Sequence, residues 1–400
     1  MALVAIPSRP AISLLISALA AQVAYNPYSG YGVGLPALPA SGAGLGTGRL
    51  SVAGLQVPLP EQPAHSAHLT AMQADFSGYG RSAHLQSPTQ KGRFGTGGLQ
   101  NLQLSFARGK GWGFSFGLAP QALQGYQGRL TLQGPLPLQY QDKTEGLLSL
   151  AYIQTALRWR HVALGYQLGY LWGTYERQQS LQTTSQALPD YLITRARLNG
   201  LQHRIGLAWQ DTFGSHFLQI SLAYTFSPSL SRELSYTFQK NFSYSHILVD
   251  TLALSQERWT QGAQWRGGLF WQGASWQAGL EGGYQASPSA WGGHGLVPAS
   301  GRPSWDIRGG LSWAPDPRSA TFYKRFRYQL GGFVAAPPYA PLRWYGLTAG
   351  LGWQLPRSPH LLFLALERGW LPTPILQESY WQVSLAVVFR ELWFVPPRLD

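Results

Sequence analysis

From about His68 onward the chain alternates apolar with small or polar residues at a period of two, and it keeps that period almost to its end. The clearest run is Val162 to Trp172, where Val162, Leu164, Tyr166, Leu168, Tyr170 and Trp172 share one face and Ala163, Gly165, Gln167, Gly169 and Leu171 share the other. Leu218 to Phe226, Trp305 to Trp313, Tyr345 to Gln354 and Trp381 to Arg390 repeat the pattern. One face of each run suits lipid, and the opposite face is small or polar. Aromatic residues flank many of the apolar bands, as expected where Trp and Tyr settle at headgroup depth. The runs predict an all-β fold, a transmembrane antiparallel β-barrel of about fourteen strands. The polar inserts Gln178 to Leu192 and Gly293 to Ser304 read as extracellular loops, and Ser227 to Ser231, with Pro228 inside, reads as a periplasmic turn.

Composition narrows the choice further. Charged residues make up 12% of the chain and aromatics 13%, whereas a soluble domain carries about 25% charged residues. Mean hydropathy is −0.12, and no apolar stretch beyond the N-terminus reaches the roughly 20 residues a spanning helix needs. Alternating lipid-facing and lumen-facing residues average to just such a neutral value. A β-sandwich or propeller would show charged outer faces and blade-like repeats, and neither is present. The net charge of +13 is spread over many strands and loops without a basic recognition element, so no nucleic-acid partner is expected. Arginines at strand ends suit outer-membrane lipid and lipopolysaccharide.

The N-terminus has the order of a secretory signal: Arg9, an apolar run from Ala11 to Ala20, then small residues at Ala20, Ala21 and Ala24. Residues 1–24 are therefore expected to be a signal peptide, removed between Ala20 and Tyr25 on the way to the outer membrane of a Gram-negative bacterium. Residues 25–67 are rich in Gly, Pro and Ala and lack alternation; such a segment buries little apolar area alone and suits a hatch inside a barrel. The barrel is expected over 68–390, with a periplasmic tail over 391–400. Interior ion pairs, Asp306 with Arg308 and Glu367 with an arginine of a neighbouring strand, are expected in a narrow polar lumen.

Several short motifs, in order, carry a family resemblance. The opening Asn26 to Gly34, the triplet Gln62-Pro63-Ala64, Gly117 to Pro120 followed by Gly125-Tyr126, Tyr328 to Gly332, Ala365 to Gly369, and Glu378 to Phe389 followed by Trp393-Phe394 resemble FadL-type barrels of the Bacteroidota. The resemblance implies fourteen strands, an N-terminal hatch, and passage of fatty-acid-like or aromatic molecules across the outer membrane. Its hatch motif is Asn-Pro-Ala, and Gln62 here replaces the asparagine with a longer amide. The resemblance makes Asn26, Pro27, Tyr28, Gln62, Pro63 and Ala64 the candidate ligand-binding or hatch residues. It also implies an alternative, because barrels of this type serve as non-transporting accessory subunits of secretion or assembly complexes in the envelope.

Enzyme chemistry is not expected. His65, His68, Asp75 and His84 lie close in sequence, near Ser66 and Ser77, but His68 and Asp75 would point oppositely on one continuous strand. Their spacing matches no zinc motif, and the glycine-rich run Gly42 to Gly48 lacks the Lys-Ser/Thr ending of a phosphate loop. No metal or cofactor is expected. Intact-mass measurement of the protein extracted from outer membranes tests the signal: a mature N-terminus between Ala21 and Tyr25 is expected, and retention of Met1 would overturn it.

Overall fold

The computed structural model describes residues 29, 34–37, 40, 42–52, 59–88, 91–108, 111–132, 138–183, 189–243, 246–288, 302–316, 321–338, 343–355, 358–373 and 376–391. The signal segment 1–24, hatch residues Asn26, Pro27 and Tyr28, most of Gly293 to Ser304, and the tail 392–400 lie outside the described residues. The wall is a closed antiparallel barrel whose strands we number β1 to β14. They are β1 Met72–Gln86, β2 Lys91–Arg108, β3 Trp112–Leu132, β4 Leu138–Trp159, β5 Val162–Thr183 and β6 Asp190–Phe213. β7 comprises His216–Thr225 and Ser229–Ser243, and β8 comprises His246–Thr260 and Gln264–Gln272. β9 Trp276–Gln285, β10 Ser304–Trp313, β11 Phe326–Ala336, β12 Trp344–Gln354, β13 Leu361–Pro372 and β14 Gln377–Glu391 complete it. β14 pairs with β1 from Gln377↔Gln86 to Glu391↔Met72, which closes the ring.

Pro228 corrects one expectation. Residues 226–228 do not turn back; they interrupt β7, whose lower part pairs with β6 through Arg204–Phe213 and whose upper part pairs with the same strand through Tyr191–Gly200. The adjacent β8 is interrupted at 261–263, and the Gln261 amide donates to the Pro228 carbonyl at 3.0 Å. A proline lacks the N–H that a ladder position needs, so a break in the ladder accommodates it inside a wall strand. Gln178 to Leu192 differs from expectation as well: Gln178–Thr183 and Asp190–Leu192 continue the ladder of β5 and β6. Their polarity reflects height above the membrane rather than loss of strand structure.

Two-residue turns at Arg160-His161 and Gly214-Ser215 lie at the end where Met72 and Glu391 meet, and short turns mark the periplasmic side of such barrels. The outward face is an apolar belt, including Leu164 at 60% exposure, Leu311 at 51% and Leu385 at 46%. At its periplasmic rim aromatic rings touch around the wall, Trp276 with Trp313 at 5.7 Å and Trp313 with Tyr328 at 5.6 Å between centroids. At the other rim Arg368 lies 4.9 Å from the Trp381 ring centroid.

The wall is uneven in height. β9 and β10 have 10 residues each, whereas β4, β5 and β6 have 22, 22 and 24. Along these long strands the outward side chains change from Leu118, Ile153, Trp172 and Leu201 to Gln127, Arg129, Lys143, Glu145, Glu176, Arg195 and Arg197. The upper part of β3 to β8 is therefore a curtain that rises roughly 25 Å out of the bilayer on one side, from about ten extra residues at ~3.3 Å each on tilted strands. Its inner face carries a buried apolar cluster that includes Leu148, Leu150, Leu171, Tyr175, Leu198, Leu230 and Trp259.

β2 and β3 pair only over Leu102–Arg108 and Trp112–Leu118. Above that level they part, β2 continuing against β1 and β3 against β4, with bulges at Gln100 and at Gln121 next to Pro120. A short strand from the N-terminal segment, Leu35–Pro36, enters this parting and pairs with β3 at Leu123 and Ala122.

The belt and the curtain make opposite predictions for one substitution. Leu385→Arg in the belt is expected to lower folding stability in lipid vesicles by about 2–4 kcal/mol, while Gln178→Arg in the curtain is expected to stay within about 0.5 kcal/mol. Urea titration of vesicle-folded protein checks both.

Candidate functional site

The described residues between Leu35 and Leu69 fill the lumen at mid-height, and wall glycines make this possible. A Cβ built on Gly113 would lie 1.6 Å from the Ser66 carbonyl oxygen, one on Gly165 2.3 Å from the Ala64 nitrogen, and one on Gly310 2.6 Å from the Thr47 oxygen. The small inward face of the alternating pattern is thus a set of sockets for hatch backbone, a role that periodicity alone does not reveal.

The upper hatch, residues 42–52, is seated on carboxylates. Arg49 takes a left-handed backbone conformation at φ 63° and its guanidinium grips Glu367 of β13, Nε to Oε2 at 2.5 Å and Nη2 to Oε1 at 2.9 Å. Tyr380 of β14 donates to the same carboxylate at 2.6 Å, and Trp344 Nε1 donates to the Tyr380 oxygen at 2.7 Å. Glu281 of β9 accepts from the backbone amides of Ser51 and Val52 at 2.7 and 2.8 Å. Glu281 is held in turn by Arg266 of β8 and Arg308 of β10, at 3.1 and 3.3 Å, and both arginines reach Asp306. Arg308 also donates to the Arg49 carbonyl at 2.9 Å. Asp306 does pair with Arg308 as expected, but Glu367 pairs with Arg49 of the hatch instead of a neighbouring strand's arginine. Sequence distance hides that pairing, because 318 residues separate the partners.

The lower hatch is a 3-10 helix, Pro63–His68, capped by Gln62. The Gln62 side-chain oxygen accepts from the Ala64 amide at 3.4 Å, while its Nε2 donates to the carbonyls of Leu207 and Leu222 at 3.2 Å each. One longer amide thereby ends the helix and fixes it to β6 and β7. Pro63 begins the helix where its missing N–H costs nothing, and Ala64 packs with Ala67, Ala156, Ala163 and Ala208. Arg204 of β6 and Gln167 of β5 donate to the Pro60 carbonyl.

The histidine cluster does not assemble a catalytic pair among the described contacts. His65 faces Gln219 at 2.6 Å and Ser221 at 3.3 Å, His68 lies beside Arg158, Asp75 accepts from Asn101 at 2.6 Å, and His84 is exposed on β1. Burial, with His68 nearby, lowers the His65 pKa to about 3, and burial beside Arg158 lowers that of His68 to about 4. Among the described residues no group of His, Cys, Asp and Glu forms a metal centre.

Two cavities lined by described residues lie beside the hatch. One of about 90 Å³ is polar, touching Glu61, Arg204, Arg266, Asp306 and Arg308. The other, about 50 Å³, sits at the β2–β3 parting against Leu35, Pro36, Leu123, Trp344, Leu371 and Arg81.

Solved structures, a FadL homologue and hydrocarbon channels among them, share this fourteen-stranded fold. A Pseudomonas aeruginosa FadL homologue aligns at 12% identity over 89% of this chain and 99% of its own, with a TM-score of 0.63. The P. putida toluene transporter TodX aligns at 13% identity over 90% and 100%, with a TM-score of 0.60. The CymD monoaromatic hydrocarbon channel aligns at 12% over 89% and 98%, with a TM-score of 0.58. The sequence profile of the BamG family matches residues 10–400, and the chain belongs to that family. No curated protein sequence matches it.

The histidines give the seat a pH dependence. Their docked pKa values lie below the ordinary 6.5, so the released hatch binds more protons than the docked one. Docking is complete above about pH 6.5 and weakens as pH falls from there toward 4 and 3. Planar-bilayer conductance of the purified barrel should rise as pH falls over that acid range, and His65→Gln should flatten the dependence.

Proposed function

We propose that this protein is a non-transporting barrel subunit of an outer-membrane secretion or assembly complex, anchored by its belt and closed by its hatch. The filled lumen is the observation that carries this reading. The hatch residues Leu45, Arg49, Leu50, Val52, Leu59, Gln62, Ala64 and Ser66 are all buried, and the cavities beside them are about 90 and 50 Å³. A pocket for a drug-sized or lipid-like molecule is about 300–1,000 Å³ and mostly apolar. The larger apolar hollow, about 570 Å³ against Phe116, Leu118, Ile153, Leu168, Tyr170 and Leu201, faces the lipid and not the hatch. Membership of the BamG family, a family distinct from the hydrocarbon channels that share the fold, agrees with a role other than passage.

Carriage of hydrophobic small molecules is the second reading, favoured by the β2–β3 parting. There the small cavity is walled by apolar side chains together with Arg49, Gln100, Glu378, Gln382 and Arg81; the Arg81 guanidinium lies 3.7 Å from the Tyr380 ring centroid and donates to Gln382 at 3.2 Å. Withdrawal of Leu35–Pro36 would join that cavity to the parting, offering a fatty-acid-like or aromatic molecule a sideways route. The neighbours described as a toluene transporter and a monoaromatic hydrocarbon channel lend it support.

Planar-bilayer conductance combined with native mass spectrometry separates the two. On the subunit reading, wild-type barrel is electrically silent and carries protein partners but no apolar ligand. Arg49→Ala, which leaves Glu367 buried without its ion-pair partner at a cost of about 3–5 kcal/mol, opens a conductance. A fatty acid or aromatic hydrocarbon that copurifies with wild type and is lost from Arg49→Ala would replace the subunit reading with transport.

A further inference from the structure

We propose that the edge of β3 above the outer leaflet, Gln127 to Leu132, docks an extended segment of a partner polypeptide by antiparallel strand addition; this rests on the subunit reading above. The backbone fixes which groups are available. Gly125 turns both its amide and its carbonyl to the Ser29 hydroxyl, each at 2.9 Å, and the Gln121 carbonyl accepts from the Ala37 amide at 2.9 Å. Successive residues of a strand present their N–H and C=O to opposite sides. Tyr126, Gly128 and Leu130 therefore face Thr144, Asp142 and Tyr140 of β4, and Gln127, Arg129 and Thr131 face away from it. Among the described residues no strand pairs with that side above Leu123.

The edge is already competent for strand addition, because the chain's own Leu35–Pro36 pairs with it antiparallel immediately below. A partner strand would extend the same ladder upward. β4 holds β3 through the whole stretch, Gln124↔Gly146 to Leu132↔Leu138, so the barrel side loses little freedom on pairing. Proteins usually blunt an open edge with proline, charged side chains or a bulge; Gly125 to Leu132 contains no proline and no register shift, and Arg129 is its one charge. The opposite margin of the curtain, β8, carries Asp250, Glu257 and Arg258. Side-chain alternation sets the chemistry of the partner. Leu130, 53% exposed on the inner face of the curtain, asks for an apolar residue across from it, and exposed Arg129 on the outer face asks for an acidic or polar one. The occupant is an extended, alternating, neutral to acidic segment of another protein.

A photo-crosslinking amino acid placed at Gln127 or Arg129 in cells, with recovery of the intact complex in mild detergent, tests this. Crosslinks are expected to a polypeptide other than this chain, mapped to one extended segment. Gln127→Pro with Arg129→Pro removes two edge amides that β4 does not use. It should lower partner recovery about tenfold, the equivalent of two lost backbone hydrogen bonds. Heat-modifiable migration should persist, showing a folded barrel. Gln127→Ala keeps the backbone and Arg129, and should recover the partner at the wild-type level. Crosslinks solely to a second copy, to lipopolysaccharide or to residues of the same chain would overturn the proposal. Undiminished recovery with the proline pair would overturn the edge while leaving the subunit reading; a wild-type barrel with no partner would overturn both.

Discussion

The structure depends on two buried carboxylates, Glu281 and Glu367, that reach from the wall into the hatch. A carboxylate removed from water is costly unless it is paired and hydrogen-bonded, and losing one partner leaves the other charge stranded. Here each has several partners drawn from both sides of the hatch boundary: Arg49 and Tyr380 on Glu367, and Ser51, Val52, Arg266 and Arg308 on Glu281. Wall and hatch therefore satisfy one another, and neither is complete alone. Arg266 and Arg308 match Glu281 and Asp306 in charge, and the hatch carbonyl of Arg49 takes a further donor of Arg308.

That mutual dependence explains the distribution of small residues. Inward glycines such as Gly165 and Gly310 let backbone approach backbone, which brings main-chain amides within reach of side chains on the wall. A barrel built to conduct keeps such positions lined with polar side chains around water. In this protein they are sockets, and the lumen at mid-height is occupied by hatch.

The outside of the molecule is as asymmetric as the inside is closed. The long strands β3 to β8 rise from the membrane on one side and leave β9 to β13 near its surface. The curtain has an apolar inner face, and above Leu123 no strand among the described residues pairs with its β3 margin. It offers a backbone ladder and a wide polar surface to another polypeptide. Closure of the lumen and extension of the curtain thus point to the same kind of role.

The barrel itself is legible in the sequence, since lipid on one side and packed interior on the other force a period of two, and the runs around Val162, Trp305 and Trp381 show it. Gln62, Pro63 and Ala64 are legible as a hatch motif through resemblance, and they occupy the helix at the base of the hatch. The seat was legible only in part. Asp306 and Arg308 stand two apart on one strand and share a face, so their pairing follows from local geometry. The grip of Arg49 on Glu367 does not, because barrel closure and hatch insertion join residues with no common local period. Pro228 shows the same limit: its chemistry demands a break in a ladder, but only the pairing of β6 with both halves of β7 decides that the break lies within a strand and not at a turn. By itself the sequence determined which residues face lipid, because each obeys the solvent on its own side. Tertiary structure alone decided which buried charges meet and where β2 and β3 part, because both depend on register and closure across the whole ring.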